Sequence, residues 1–320
     1  MSNTRLISVV VPVYNSQGSL PPLVRRLRTA LENVPSEIVL VNDGSRDGSW
    51  DVVSELSRSH DNVRGIDLMR NYGQHNALLA GIRAARGAVI VTIDDDLQHQ
   101  PEDISSLLAE IDRGADVVYG TTATRPHTLF RNVASWITKI ALQKTMGAAT
   151  ARKVSAFRAF RTPLRNAFET YQSPYVSIDV LLTWGTTKFS SVNVQHRPRE
   201  IGRSNYTMRT LLVHGLTMMT GFSTLPLRFA TLVGFCVTLF GFSILAFVLV
   251  TYFINHGSAP GFPFLASIIA IFSGAQLFAL GIIGEYLARV HVRLMERPPY
   301  TVGRVSGEAA RPSALDASAR

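Results

Sequence analysis

Two stretches near the C-terminus constrain this chain most. Residues 229–254 and 265–284 carry no charged side chain. About 20 apolar residues, at a rise of about 1.5 Å each, let a helix cross the hydrocarbon core of a bilayer. Both stretches are therefore expected to be transmembrane helices. The connection between them, NHGSAPGFPF, has no acidic or strongly basic side chain either. Arg209 and Arg228 precede the first stretch, and Arg289, Arg293 and Arg297 follow the second. The positive-inside rule then places both outer ends in the cytoplasm and the short loop outside. Glu285, at the inner end of the second stretch, has two readings: a functional acid within a span, or a partner for Arg289.

The remainder divides around that hairpin. Residues 1–208 are expected as a cytoplasmic domain, 209–226 as a juxtamembrane amphipathic helix, 227–297 as the two membrane helices, and 298–320 as a partly disordered tail. The N-terminus, MSNTRLISVVVPVYN, runs directly into a strand pattern and lacks the apolar region and cleavage site of a signal peptide. The expected location is the cytoplasmic (inner) membrane, multi-pass, with the first domain facing the cytoplasm.

That domain reads as α/β. LISVVVPV (6–13), EIVLVND (37–43), VRGIDL (63–68), AVIVTID (88–94) and ADVVYG (115–120) are short apolar runs without alternation, and 187–197 is a further strand. Helical stretches at 18–33, 47–59, 74–86 and 102–113 separate the first five. Strands of this kind alternating with helices predict a mostly parallel sheet covered on both faces. Ligands bind such sheets beyond the carboxyl ends of the strands.

Polar clusters fall at those ends. They are Tyr14-Asn15, then Asn42-Asp43-Gly44-Ser45, then Arg70 to His75, and finally Asp94-Asp95-Asp96. One such cluster is ordinary turn chemistry; four along one edge predict a shared site. Three consecutive carboxylates repel one another unless a cation neutralises them. Asp94 and Asp96 are two residues apart and point the same way in an extended segment. Gln98 follows at the same spacing. Mg²⁺ or Mn²⁺, which take oxygen ligands and substrate phosphates, are the expected ions. The other reading is an acidic turn that caps the helix at 102.

The formal net charge is +9 and the pI about 10.0. An anionic partner is implied: a phosphorylated substrate, an acidic membrane surface or nucleic acid. No interleaving of aromatic and basic residues reads as base recognition, so nucleic acid is not expected. The single cysteine, Cys236, excludes a disulfide framework and a cysteine zinc site. Residues 128–147, with Arg131, Lys139 and Lys144 beside an apolar side, read either as a helix packed on the domain or as a basic helix at a membrane surface. Arg197, Arg199 and Arg203 surround Gly202 in a loop suited to phosphate.

Together VVVPVYN, LVNDGSRDGS, RNYGQHNALLAGI, DDDLQHQPEDI and the late arginine loop resemble family-2 glycosyltransferases of the GT-A fold. Within that family the chain is most similar to the polyprenyl-phosphate glycosyltransferases, the group of the dolichol-phosphate mannose synthases and the undecaprenyl-phosphate 4-deoxy-4-formamido-arabinose transferases. The likeness runs from about residue 6 to about residue 300 and includes LPLR, GAQLFALGIIGEYLARV and RPPY. The resemblance implies a nucleotide-sugar donor, with UDP favoured over GDP, and a polyprenyl phosphate acceptor such as undecaprenyl phosphate. It places Pro12, Tyr14, Asn15 and Asp43 at the nucleoside. Asp94, Asp95 and Asp96, with Gln98, fall at the metal and diphosphate. Arg131, Arg158 and Arg199 fall near the lipid phosphate or donor diphosphate. Ser204 and Tyr206 stand at the end of a closing loop. A homotetramer through the membrane helices is compatible with it.

The chain departs from the family pattern in three places. Ser16-Gln17 follow Tyr-Asn where relatives often have acids; Asn205 replaces a common lysine; Asp95 replaces a common alanine. The implied reaction is attack by a lipid phosphate on the anomeric carbon, with inversion. A phosphate monoester, with a second pKa near about 6, is ionised at neutral pH and needs no general base. Asp179 stands as a base for a hydroxyl acceptor or as a structural and sugar-contacting residue. The competing readings are a hydroxyl-acceptor transferase, for which more spans and a Gln-x-x-Arg-Trp motif are expected, and a membrane-tethered protein with an inactive transferase domain.

Overall fold

The structure, a computed structural model, describes residues 5–121, 154–195, 225–254 and 261–307. The chain forms two compact units; the described part of the first comprises residues 5–121, 154–195 and 297–307. Its chain order begins β1 (Ile7–Val13), α1 (Leu20–Ala30), β2 (Ser36–Asn42), α2 (Ser49–Ser59), β3 (Val63–Leu68), α3 (Gln74–Ala84) and β4 (Val89–Thr92). There follow α4 (Ile104–Asp112), β5 (Val117–Thr121), β6 (Arg158–Arg161), α5 (Ile178–Gly185) and β7 (Phe189–Asn193), and after the second unit β8 (Val302–Ser306).

The strands form one mixed sheet in the order β7-β5-β6-β4-β1-β2-β3-β8. The centre, β4-β1-β2-β3, is parallel throughout. Every residue of β1 is buried, as the continuous valine run requires of a strand covered on both faces. One apolar cluster joins β1 to α1, α2 and α4 on one face. A second joins the sheet to α3 and α5 on the other. Leu20, Leu23, Val24 and Leu27 give α1 its buried stripe at helical spacing, and prolines at its first turn fit where no N–H is needed.

Chain order matters for the site. From β1 the sheet grows through β2 and β3 on one side and through β4 on the other. A crevice opens at such a reversal. The β1–β4 ladder ends at Val10 opposite Thr92, while β1 runs on to Val13. Pro12 occupies that overrun, a place where a central strand tolerates proline.

Three elements were not anticipated from the sequence. The segment around Arg158 contains β6, antiparallel between β4 and β5. The tail contains β8, which runs antiparallel along β3. Residues 178–185 are helical.

The described part of the second unit consists of α6 (Leu225–Ile254) and α7 (Phe262–Leu294). Segments 227–251 and 271–294 of these helices are long and apolar enough to cross a membrane, with mean hydropathies of 2.5 and 1.4, and neither is buried by protein. The helices approach closely at Gly241: a Cβ there would lie 2.3 Å from Phe272 Cζ. Small residues admit such approaches between apolar helices. Arg289 donates to Glu285 at 2.8 Å, the pairing that was one of the two readings of that acid. The stretches 128–147 and 209–222, expected as helices, lie outside the described residues.

Candidate active site

The four polar clusters converge beyond the carboxyl ends of β1 to β4. Asp43 follows β2 and is 2 % exposed. It accepts the backbone N–H of Tyr72 at 2.7 Å and of Gly73 at 2.8 Å, both from the loop after β3. Burial pushes its carboxyl up, and the two backbone bonds offset part of the rise. Gly44, at φ +61°, lies so close to that loop that a Cβ would sit 2.4 Å from Arg70 C. Glycine is therefore required at this turn on both conformational and steric grounds.

Asn15 also adopts a left-handed backbone, φ +53°, which asparagine accepts more readily than most residues. Its N–H donates to Ser45 Oγ at 3.0 Å, and its Oδ1 accepts from Arg46 N at 2.9 Å. These bonds tie the β1 loop to the β2 loop. Tyr14 is 40 % exposed, its ring available to a ligand.

The aspartate triplet completes the edge after β4. Asp95 accepts from Ser16 Oγ and, at 3.2 Å, from Tyr14 N, so it ties this loop to the end of β1. Asp94 accepts from Gln74 Nε2 at 2.6 Å, which ties the loop to the start of α3. Asp96 Oδ1 accepts from the Gln98 backbone N–H at 3.2 Å. Leu97 has φ +61°, a conformation that costs a branched side chain about 1–2 kcal/mol. Its buried side chain holds the turn in place. Burial, then Asp96, then Asp95 push the Asp94 carboxyl up to about 7, against the opposing charge of Arg158. Burial raises Asp95 as well.

The donor set is chemically apt for a hard divalent cation: crowded carboxylates, of which burial first and the neighbouring charges second hold Asp94 up at about 7. Among the described residues no three His, Cys, Asp or Glu side chains are arranged around one ion. An ion at this place would have one or two carboxylates as ligands and would need phosphate oxygens to complete its shell.

Behind the triplet lies a buried polar network. Arg158, 2 % exposed, forms an ion pair with Asp179 and donates from Nε to Thr92 Oγ1 at 3.1 Å. Tyr119 donates its hydroxyl to Asp179 at 3.0 Å. Arg158 was expected beside a phosphate. Its guanidinium pairs with Asp179, and its charge also bears on Asp94 of the triplet. Arg131, Arg199, Ser204 and Tyr206 lie outside the described residues. Sequence reasoning placed Gln74 within the third polar cluster and noted Ser16 as a departure from the family pattern, but gave neither a partner. Only their positions, directly after β1 and at the start of α3, signalled them.

A sequence model for Glycosyl transferase family 2 matches residues 8–170. The chain is 36% identical over 304 residues to undecaprenyl-phosphate 4-deoxy-4-formamido-L-arabinose transferase from Salmonella choleraesuis (strain SC-B67), with 93% of each chain covered. The enzyme of the same name from Salmonella typhimurium (strain LT2) gives the same identity and coverage. Among solved structures, glucosyl-3-phosphoglycerate synthase from Mycobacterium tuberculosis in complex with UDP is similar at TM-score 0.52 and 18% identity, over 68% of this chain and 78% of that one. Its complex with Mn²⁺, UDP and glucosyl-3-phosphoglycerate gives TM-score 0.50 and 16% identity, over the same shares of the two chains. At these identities the structural likeness speaks for the fold, a mostly parallel mixed sheet of GT-A type.

Proposed function

The chain belongs to glycosyl transferase family 2, and from that membership we propose that it moves a sugar from a nucleotide sugar to a polyprenyl phosphate at a membrane. The observation that carries this reading is the aspartate triplet at the β1/β4 reversal, bonded to the β1 loop through Asp95, in a chain with two membrane-length helices. The Salmonella relatives named for undecaprenyl phosphate, similar over 93% of this chain, support that acceptor. The UDP complex of a fold neighbour agrees with UDP as the donor's nucleotide.

In this reading Tyr14, Pro12, Asn15 and Asp43 form the nucleoside end of the site. Asp94 and Asp96, with Gln98, would hold Mg²⁺ or Mn²⁺. That ion supplies neutralisation of the charge developing on the leaving nucleoside diphosphate. Asp95 holds the triplet against β1. Arg131 and Arg199 fall to the two anionic groups, and Ser204 and Tyr206 to the closing loop. Arg158 acts indirectly, through Asp94 and Asp179. The nucleophile is the lipid phosphate, already ionised near neutral pH, so no side chain has to remove a proton from it. In-line displacement inverts the anomeric centre.

The bonds of Asp179 to Arg158 and Tyr119 support a structural role for it rather than that of a base for a hydroxyl acceptor. The positive-inside rule supports a cytoplasmic catalytic domain and a multi-pass anchor in the cytoplasmic membrane. A homotetramer through the membrane helices fits the same reading.

The test uses the purified full chain in detergent with undecaprenyl phosphate and Mn²⁺. A panel of UDP- and GDP-sugars is offered, glycolipid is sought by mass spectrometry, and Asp96→Ala is run alongside. A metal-dependent glycolipid absent from Asp96→Ala is expected. An equal yield from that variant would refute the assignment of the site.

A further inference from the structure

The first unit contains a concavity beside the third polar cluster, apart from the aspartate triplet. It is a cavity of about 290 Å³ lined by Arg70, Tyr72, Asn76, Pro174, Arg297 and Pro299, among others. No member of the aspartate triplet borders it. Its volume lies near the lower end of small-molecule sites, roughly 300–1,000 Å³.

The lining has a definite chemistry. Arg70 lies over the Tyr72 ring, its guanidinium carbon 4.4 Å from the centroid. That contact holds near the wall a group able to fork onto two oxygens. Arg297 comes from the far end of the sequence, three residues beyond the end of α7. Among the described residues no carboxylate forms an ion pair with either arginine. Asn76 gives its Nδ2 to Tyr72 O at 2.5 Å and to Pro174 O at 3.3 Å. Its Oδ1 is buried and has no donor among the described residues. Proline backbones, fixed in φ, stiffen the wall at Pro174 and Pro299. Two guanidinium groups in a preformed pocket, with a buried acceptor short of a hydroxyl, suit an oxyanion that also carries an O–H.

We propose that this cavity binds a phosphate-bearing headgroup, held between Arg70 and Arg297. Phosphate oxygens take the two forks, and a protonated oxygen or headgroup hydroxyl supplies Asn76. The membrane is one source of such a group, since Arg297 directly follows a membrane-length helix. Free phosphate is the other. The Tyr72 N–H that helps hold Asp43 belongs to the same wall. An occupant therefore orders the loop that supports Asp43.

The test is a thermal-unfolding titration of the full chain in detergent with EDTA present, which keeps metal from holding phosphate elsewhere. The probes are dihexanoyl phosphatidic acid, dihexanoyl phosphatidylcholine and inorganic phosphate. Arg70→Gln, Arg297→Gln and Arg297→Lys are compared with wild type; both arginines are exposed, so the fold does not depend on them. Phosphatidic acid is expected to raise the melting temperature of wild type, with apparent affinity about tenfold weaker in each glutamine variant. Arg297→Lys falls between, because an ammonium cannot fork. Inorganic phosphate reproducing the effect identifies free phosphate as the source, and phosphatidic acid acting alone identifies the headgroup. Phosphatidic acid indistinguishable from phosphatidylcholine, or equally effective in wild type and both glutamine variants, overturns the proposal.

Discussion

Gly73 donates its backbone N–H to Asp43 Oδ2 at 2.8 Å, joining the loop after β3 to the end of β2. Tyr72 N donates to Oδ1 of the same carboxylate. Asparagine has nearly the same shape but can accept on one side only, so its amide would face an N–H. Asp43→Asn is therefore expected to cost about 1–3 kcal/mol of stability and to weaken nucleotide binding. Thermal unfolding and UDP titration check both parts. A variant with wild-type stability and affinity would show that the double acceptor is not needed.

The aspartate triplet makes stability depend on pH and metal together. The Asp94 carboxyl stands at about 7 in the folded protein against an ordinary 3.8. A raised acid contributes stability below its unfolded value and loses it as pH rises through the folded value. The metal-free protein is thus expected to lose stability between those two values. A cation must displace that proton, so Mn²⁺ should stabilise more at about pH 8 than at about pH 5.5. Asp94→Asn should flatten both dependences. Melting curves with and without Mn²⁺ measure this, and a metal effect independent of pH would contradict it.

Arg158 and Asp179 form a buried ion pair, and removing one member leaves the other uncompensated. Asp179→Asn is expected to destabilise the protein by about 3–5 kcal/mol. Activity should fall with the folded fraction, without a new dependence on pH. If the variant keeps full stability and loses turnover, Asp179 is acting as a base and the hydroxyl-acceptor reaction returns.

The centre of the sheet was legible because buried parallel strands are continuous valine and isoleucine runs. VRGIDL was expected over 63–68, where β3 stands. Two strands outside that centre, β6 and β8, were not. In β6 the sequence Arg-Ala-Phe-Arg places charge at both ends of a four-residue strand, and the burial of Arg158 depends on an acid 21 residues away. β8 is exposed along most of its length and pairs with a strand some 237 residues earlier, judged by the Arg304–Asp67 contact. Local pattern carries no trace of such pairing. The site was legible as four polar clusters on one edge. Its internal wiring was not: Ser16 with Asp95 and Gln74 with Asp94 are long-range bonds that depend on strand order. Arg158 shows the same limit, because sequence shows a charge but not its burial.

The most direct measurement compares two acceptors, undecaprenyl phosphate and undecaprenol, in the same detergent reaction with Mn²⁺ and the panel of nucleotide sugars. Product is identified by its mass. The account predicts glycolipid from undecaprenyl phosphate and none from undecaprenol, because the nucleophile must already be an anion. Glycosylated undecaprenol, or no product from either lipid although UDP binds with metal, would contradict it.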